Sequence, residues 1–296
     1  MLIDSHAHLD FPQFDADRET VIARAREAGL VAVLNVGTDL VSSRAAVALA
    51  EQHDFIYAAV GVHPHDAKTV TPDVLAELRA LARHPKVVAI GEIGLDYYRD
   101  LSPRPVQRRA FADQLALAAE LCLPVVIHSR EAHDDVLAAL RERAGFAPGG
   151  GVERGQPLPP APSPTLGEGS SSPPGLGGTE GGLGVLHSYS AGPEHLEEVL
   201  SLGFSIGISG PVTFSKADRL RAVAAAVPLE RLLVETDCPH LTPEPYRGWR
   251  NEPAYVRYVV QAVARARRMP VEAVAQATAD NASRLFGILR PQGILE

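Results

Sequence analysis

The sequence has few cysteines and no long apolar run, and both absences narrow its class. Only Cys122 and Cys238 occur, far apart and outside any CxxC spacing, so neither a disulfide framework nor a thiolate zinc site is indicated. We expect Cys122 to be a buried apolar residue and Cys238 to lie near a functional site. No run approaches the roughly 20 apolar residues of a membrane span, and Met1 leads into the first apolar run without a signal peptide. We therefore expect a cytoplasmic protein without membrane contact or an obligate protein partner.

Positive charge is also scarce. The chain has 28 Lys and Arg against 36 Asp and Glu, a formal net charge of −8, which argues against a broad binding surface for duplex nucleic acid. A local metal-rich pocket remains compatible with a phosphate ligand. Only three lysines occur, Lys68, Lys86 and Lys216, and none lies at the carboxyl end of a predicted strand.

Alternating strand and helix patterns predict the fold. At 296 residues and 46% hydrophobic, the chain fits a single domain over 1–296. Regular β-α alternation with eight strands predicts a parallel sheet closed into a (β/α)8 TIM barrel. An open doubly wound sheet is the alternative, but no GxGxxG turn follows the first strand. The predicted strands are 2–8, 31–37, 56–62, 87–94, 124–129, 184–189, 204–209 and 232–237.

Residues 148–184 interrupt this alternation. They are dominated by Gly, Pro and Ser and contain no aromatic residue. Such a segment buries too little apolar surface to offset its ordering entropy, so it predicts a disordered insertion between the fifth helix and the sixth strand. That connection belongs to the barrel face opposite an active site. Recognition of its proline-rich parts by a partner is the less favoured alternative.

Six side chains of metal-ligand type lie at the carboxyl ends of the predicted strands. In 2–8, the two-residue period of a strand turns His6 and His8 to the same side, so that two ring nitrogens face one ion. An isolated HxH pair is a weak signal, but the strand ends of a barrel converge on one face, which makes a chance arrangement improbable. The predicted ligands are His6, His8, Glu92, His128, His187 and Asp237.

The order of these strands divides the set between two divalent ions. The first and last strands become neighbours when the barrel closes, so Asp237 joins the histidine pair at one ion. Glu92 has two oxygens and is expected to bridge to the second ion, which His128 and His187 complete. Two ions roughly 3.5–4 Å apart activate water and stabilise a leaving oxygen. Such a site suits phosphoester hydrolysis, with Asp237 and Glu92 as catalytic residues and Asp237 as general base.

The residue at the fourth strand distinguishes classes of barrel hydrolase. Many metal-dependent amidohydrolases bridge their ions with a carboxylated lysine, and no lysine is suitably placed here, so Glu92 takes that position. Seven motifs follow one another along the chain: DSHAH (4–8), GVHPH (61–65), GEIGLD (91–96), VIHSR (126–130), HSYS (187–190), ETDCP (235–239) and PYRGWRNEP (245–253). On these motifs, the chain resembles the TatD family of metal-dependent deoxyribonucleases over nearly its whole length.

This resemblance implies a barrel hydrolase that uses two divalent ions, of Mg, Mn or Zn, on DNA, often from a 3′ end. The expected partner is therefore single-stranded DNA or DNA ends. In the family, residues that match the six predicted ligands bind metal, and the residue that matches His63 contacts the substrate phosphate. The insertion departs from the family pattern. Some members resemble deacylases of mischarged transfer RNA, so ester hydrolysis on aminoacyl-tRNA is the alternative, and a non-catalytic protein is disfavoured because no ligand is missing.

Further residues are candidates for substrate contact. Arg130 follows His128 and is expected to hold a phosphate through its guanidinium. Glu235 shares a strand side with Asp237 and is a candidate to support a ligand. Tyr246 and Trp249 are candidates to stack on an unpaired base, with packing of their loop against the barrel as the alternative.

Overall fold

The computed structural model describes residues 1–144 and 182–288. Eight parallel strands form one sheet whose order follows the sequence, which confirms the predicted (β/α)8 barrel. Each strand lies within a few residues of its predicted bounds. The strands are β1 (Leu2–Ala7), β2 (Leu30–Val36), β3 (Ile56–Val60), β4 (Val87–Asp96), β5 (Val125–Arg130), β6 (Gly184–Leu186), β7 (Phe204–Ile208) and β8 (Leu232–Val234).

Helices follow the strands in alternation, and two helices follow β8. The predicted insertion at 148–184 falls almost entirely outside the described residues. The helices are α1 (Arg18–Glu27), α2 (Leu40–Gln52), α3 (Pro72–Leu81), α4 (Arg104–Leu121), α5 (His133–Ala144), α6 (Leu196–Ser201), α7 (Asp218–Ala226), α8 (Val256–Arg267) and α9 (Val271–Phe286). No helix in the described part of the chain is both long enough and apolar enough to span a membrane.

The barrel closes between β1 and the segment that follows β8. Ala7 pairs with Cys238 in a parallel bridge, the His8 amide donates to the Cys238 carbonyl at 2.8 Å, and the Asp237 amide donates to the His6 carbonyl at 2.9 Å. Buried Asp4 strengthens this seam by accepting from the Thr236 amide at 2.9 Å and from its hydroxyl at 2.6 Å. The same seam therefore holds the first predicted ligands in the sequence, His6 and His8, and the last, Asp237.

An apolar cluster inside the barrel forms a floor beneath the strand ends. Seven of the eight strands contribute to it, together with α9. Val126 and Val185 belong to this cluster, and each lies two residues before a predicted ligand, so ligand and cluster residue face the same way. Leu285 and Phe286 of α9 pack against the same cluster. The predicted ligands thus lie on a dry, closed base.

The two cysteines differ in environment. Cys238 is fully buried in the seam, near the strand-end residues as expected. Cys122 is exposed, so its predicted burial was wrong. It follows the last residue of α4 in a left-handed conformation, with φ of 54°, and the chain turns there, which removes its side chain from the apolar face of the helix.

Asn281 ties α9 to the barrel and provides a test of this packing. Its side-chain amide, on a residue 5% exposed, donates to the carbonyls of Leu229 at 2.7 Å and Leu232 at 2.9 Å. Asn281→Ala leaves these carbonyls without that donor, so we expect the free energy of unfolding to fall by about 1–3 kcal/mol. Urea denaturation followed by circular dichroism measures it.

The matched control is Gln276→Ala on the same helix. Gln276 is exposed, and its amide bonds only the side chain of Asp280, at 2.9 Å. We expect this variant to unfold within about 0.5 kcal/mol of the parent. Equal stability of both variants would contradict the structural role of Asn281.

Candidate metal centre

The structure brings the six predicted ligands together at the carboxyl end of the barrel. His6, His8, Glu92 and His187 are buried, and His128 and Asp237 are partly buried. Five strands supply these residues. His6 and His8 come from β1 and the residue just beyond it, Glu92 and His128 lie in β4 and β5, and His187 and Asp237 follow β6 and β8. The convergence follows from barrel closure and from the inward parity of these positions.

The first donor group contains His6, His8, Glu92 and Asp237. The Nε2 atoms of the two histidines lie 3.1 Å apart. Glu92 Oε2 lies 3.5 and 3.6 Å from them, and Asp237 Oδ1 lies 3.7 and 3.4 Å from them. Tetrahedral ligands bonded at about 2.0–2.1 Å are themselves about 3.3–3.4 Å apart. The donor atoms of His6, His8 and Asp237 all lie within 4.8 Å of one another, a spacing compatible with one divalent ion, and Glu92 Oε2 lies beside the two histidines.

The second donor group forms around the other oxygen of Glu92. Glu92 Oε1 lies 2.8 Å from His128 Nδ1 and 3.1 Å from His187 Nε2. His63 Nε2 is 3.5 Å from the same oxygen. Glu92 thus presents one carboxylate oxygen to each group. The nitrogen and carboxylate donors, with no sulfur, suit Zn, Mn or another divalent ion of similar preference.

The electrostatics of the site also fit a bound cation. Burial disfavours the charged form of Glu92, yet the positive charge of His187 and hydrogen bonds from His128 and His187 hold its pKa well below the usual range. Burial opposes the charge of His8 as well, but the hydrogen bond to Asp237 and the charge of Glu92 raise its pKa to about 9. In the protein without metal, protons on histidine neutralise the buried carboxylates. An ion would replace those protons.

Close packing of β4 against β5 sets the position of Glu92 beside His128. Gly94 pairs with His128 across the two strands. Gly94 has φ of 142°, and a Cβ at this position would lie 2.0 Å from the His128 carbonyl oxygen. Only glycine permits this approach. The Gly-Glu-Ile-Gly motif therefore contributes both a predicted ligand and the backbone geometry that positions it beside His128.

Several outer contacts orient the ligands. His8 Nδ1 lies 2.7 Å from the Val36 carbonyl, which favours the tautomer that leaves Nε2 free. His128 Nε2 lies 3.3 Å from Asp96 Oδ2, and His65 Nε2 lies 2.9 Å from the same oxygen. Asp96 is 1% exposed. Sequence reasoning gave Asp96 no role, although its parity with Glu92 on β4 was a usable signal.

Glu235 is buried, and its carboxylate is engaged in hydrogen bonds. Its carboxylate accepts from the Ser188 amide and from the Ser5 hydroxyl. Its Oε1 atom lies 3.3 Å from His187 Nδ1, without hydrogen-bond geometry. The side chain of Glu235 is 0% exposed, whereas that of Asp237 is 14% exposed. Asp237 is therefore the carboxylate of this pair that faces the cavity.

The predicted substrate-contact residues occupy different places. His63 is 8% exposed, and it lies against Glu92 rather than on the rim, with burial lowering its pKa to about 4. Its substrate role stays a prediction, with the second donor group as an alternative position. Arg130 is exposed at the cavity wall, and its guanidinium lies 4.2 Å above the Tyr98 ring.

A cavity of about 1170 Å³ lies above the donor groups. Carboxylates and histidines form its base, and positive side chains lie around its wall. Of the five basic side chains that line this wall, Arg219 pairs with Glu194. Within residues 1–144 and 182–288, no carboxylate lies within ion-pair distance of the other four, which are Arg99, Arg130, Lys216 and Arg247. A deep cavity with this charge attracts an anionic ligand toward its base. The basic lining residues are Arg99, Arg130, Lys216, Arg219 and Arg247.

The chain is similar to known proteins over nearly its whole length. A family model described as TatD related DNase matches residues 3–287. The uncharacterized metal-dependent hydrolase YabD of Bacillus subtilis is 40% identical over 97% of this chain and 100% of its own length. The 3′-5′ ssDNA/RNA exonuclease TatD of Pantoea ananatis is 38% identical over 97% and 100%. Among solved structures, the TatD homolog YjjV of Escherichia coli superimposes with a TM-score of 0.80 at 31% identity, covering 97% of this chain and 98% of its own.

Loss of protons should accompany metal binding. His8, with its pKa raised to about 9, and His187, with its pKa raised well above the usual value, both carry protons at pH 7, and imidazolium cannot ligate a metal. We expect binding to release protons and to tighten as the pH rises from 6 toward the raised pKa values. Calorimetric titrations of Zn²⁺ or Mn²⁺ in two buffers that differ in ionisation enthalpy measure the release. A binding enthalpy independent of buffer would contradict it.

Glu92→Gln tests the bridge. The amide keeps the shape but removes the charge shared by the two donor groups, so we expect metal content and activity to fall together. Elemental analysis of the folded variant measures metal content, with Glu51→Gln as the control because Glu51 is exposed and pairs with His84. Full occupancy in Glu92→Gln would rule out a bridging role.

Proposed function

Since the chain belongs to the TatD related DNase family and is a metal-dependent hydrolase, we propose that it hydrolyses phosphodiester bonds in single-stranded DNA from a 3′ end, using two divalent ions. The observation that carries the proposal is the division of Glu92 between two donor groups, with Oε2 toward His6 and His8 and Oε1 toward His128 and His187. A two-ion site suits phosphodiester chemistry because both the attacking and the leaving oxygen need charge stabilisation.

The substrate assignment is supported by the cavity and by the relatives. Positive side chains line the wall of the cavity, and carboxylates lie at its base. This arrangement would hold phosphate groups with the wall cations, above metal ions bound by the carboxylates. Relatives from Pantoea ananatis and Klebsiella pneumoniae are named 3′-5′ ssDNA/RNA exonucleases. RNA is therefore a second polynucleotide to test. A cytoplasmic location and activity without a protein partner stay predictions.

The residues present fit divalent ions: His6, His8 and Asp237 would hold one ion, His128 and His187 would hold the other, and Glu92 would contribute to both. When bound, the ions polarise the phosphoryl group and lower the pKa of water. Asp237 accepts the proton from the attacking water. Burial disfavours its charged form, but the hydrogen bond to His8 lowers its pKa to about 2, so the carboxylate is ionised at neutral pH and is available as a base.

The remaining residues orient the substrate. Arg130, fixed over the Tyr98 ring, holds a phosphate beside the second donor group. His63 is neutral at pH 7 because burial lowers its pKa to about 4. A neutral ring beside Glu92 donates one hydrogen bond to a phosphate oxygen without adding charge. The apolar floor below excludes water from the opposite side.

One assay separates the candidate activities. Metal-loaded protein is incubated with 3′- and 5′-labelled single-stranded DNA, single-stranded RNA, duplex DNA and an aminoacyl-tRNA, each with and without EDTA. We expect chelator-sensitive release of mononucleotides from the 3′ end of single strands. Release of the amino acid alone, without cleavage of any polynucleotide, would replace the nuclease proposal with the deacylase alternative.

Asp237→Asn tests the general base. The variant keeps its shape and one ligand oxygen but cannot accept the proton, so we expect the single-turnover rate on DNA to fall by about 10² or more while metal-dependent DNA binding survives. Quenched-flow kinetics and binding constants are measured at one salt concentration, since phosphate contacts are salt-sensitive. Normal turnover would require a different base.

His63→Ala supplies the contrast. Loss of a phosphate contact is expected to weaken substrate binding more than it slows the single-turnover rate. His84→Ala is the matched control, because His84 lies near the amino end of β4 and pairs with Glu51. If His63→Ala lost metal while His84→Ala kept it, His63 would belong to the ligand set instead.

A further inference from the structure

We propose that Trp249, with Arg247 and Arg257 on either side, forms an outer subsite on which one base of a single-stranded nucleic acid stacks after the strand leaves the metal cavity. The inference rests on the proposed function for the direction of the strand. It adds a surface that lies outside the metal cavity. The name outer subsite is used below for these three residues.

Trp249 is the single tryptophan of the chain, and its side chain is 74% exposed. Exposure of this degree is inconsistent with the alternative that Trp249 packs its loop against the barrel. A tryptophan exposes a large flat apolar face, which gains free energy when a planar base covers it. The residue therefore presents an unused stacking surface.

The backbone around Trp249 is held firmly although the side chain is free. The Trp249 amide donates to the Tyr246 carbonyl at 3.0 Å, and the Thr242 hydroxyl donates to the Trp249 carbonyl at 2.6 Å. The next residue, Arg250, forms two bonds of 2.7 Å to the Asp17 carboxylate. A stacking surface built on a rigid segment loses little entropy on binding.

Arg247 connects this surface to the metal cavity. It lines the cavity wall, as do Asp237 and His240, and its guanidinium lies 4.2 Å above the Phe214 ring. Only Gly248 lies between Arg247 and Trp249 in the chain, so their Cα atoms are at most about 7 Å apart. A strand whose phosphate contacts Arg247 therefore brings the adjacent base within reach of the indole.

Positive charge continues beyond Trp249. A second hollow is lined by Trp249, Tyr255 and Arg257, together with Arg24 and Glu252, which pair with each other, and Arg250, which pairs with Asp17. Arg257 lies on the exposed face of α8 and bonds the Tyr258 hydroxyl at 2.9 Å. Among the residues that the structure describes, no carboxylate lies within ion-pair distance of Arg257 or Arg247. Cation, aromatic ring and cation in succession match the phosphate, base and phosphate of a single strand.

A duplex does not fit this arrangement, because its bases are stacked inside and cannot cover the indole. A protein partner would need an extended apolar surface, and the neighbours of Trp249 in this hollow are largely charged. Single-stranded nucleic acid is therefore the occupant that the charges and the ring favour. Binding should weaken with salt, because phosphate contacts release counterions.

The lone tryptophan provides a direct measurement. The full-length protein in EDTA, where no cleavage occurs, is titrated with oligodeoxythymidylate of ten nucleotides, with a ten-base-pair duplex and with free phosphate, and Trp fluorescence is recorded. We expect saturable quenching by the single strand, weak or no quenching by the duplex, and none by phosphate. The single-strand titration is repeated at two salt concentrations.

Variants assign the effect to the outer subsite. We expect Trp249→Ala to weaken the binding of a fluorescein-labelled ten-nucleotide strand about tenfold or more, and Trp249→Phe to retain most of the affinity. Arg247→Gln and Arg257→Gln are each expected to weaken binding and to reduce its salt dependence. Val271→Ala and Arg265→Gln are controls, because both residues are exposed at the ends of α8 and α9 far from the cavity side and lie outside the subsite.

The results distinguish this inference from the proposed function. If single strands are cleaved while Trp249→Ala binds them as the parent does and no quenching occurs, the outer subsite is overturned and the nuclease assignment stands. If single strands quench Trp249 and depend on it for affinity but are not cleaved with any metal, the surface stands and the nuclease assignment fails. Equal weakening by Arg265→Gln would show an effect of net charge alone and would overturn the role of Arg247 and Arg257.

Discussion

The rest of the site depends on one buried carboxylate. Glu92 is 3% exposed and lies within 3.6 Å of ring nitrogens on five histidines. A charge at this depth is costly unless positive groups surround it. Protons on histidine meet that requirement, and a bound cation would meet it as well. The preference of this site for positive charge therefore follows in large part from the position of Glu92.

Barrel geometry converts that local requirement into a reactive site. The histidines that face Glu92 come from β1, the end of β3, β5 and the end of β6, and only a closed sheet brings these ends to one point. The seam at Asp4 and Thr236 closes the sheet directly beside the ligands. Asp4 lies in a dry interior, where burial raises its pKa to about 8. Hydrogen bonds from Thr236 to Asp4 hold the seam there. Apolar residues of α9 seal the opposite side.

Sequence periodicity predicted the strands, the barrel and the convergence of the six predicted ligands, because these depend on local patterns and on one topological rule. It did not place His63 against Glu92, since the residue follows β3 in a loop whose course depends on tertiary contacts. The role of Asp96 was missed for a similar reason, because the link to His65 and His128 exists only after three strand ends meet. Cys122 was wrongly predicted as buried, because helical periodicity does not reveal where a helix ends in a left-handed residue. Three of the five cavity cations, Arg99, Lys216 and Arg247, come from loops. The net charge of the chain does not reveal that cations are grouped around one cavity.

The seam between β1 and the residues after β8 has a consequence for biosynthesis. His6 and Asp237 share a donor group, yet nearly the whole described chain separates them, and the ribosome makes the histidine first. Until the segment after β8 has been synthesised and docked, the early histidines face an open sheet edge and lack their carboxylate partner. A growing chain therefore has no complete donor group at this end of the barrel, and the predicted metal centre is assembled only once the barrel is whole.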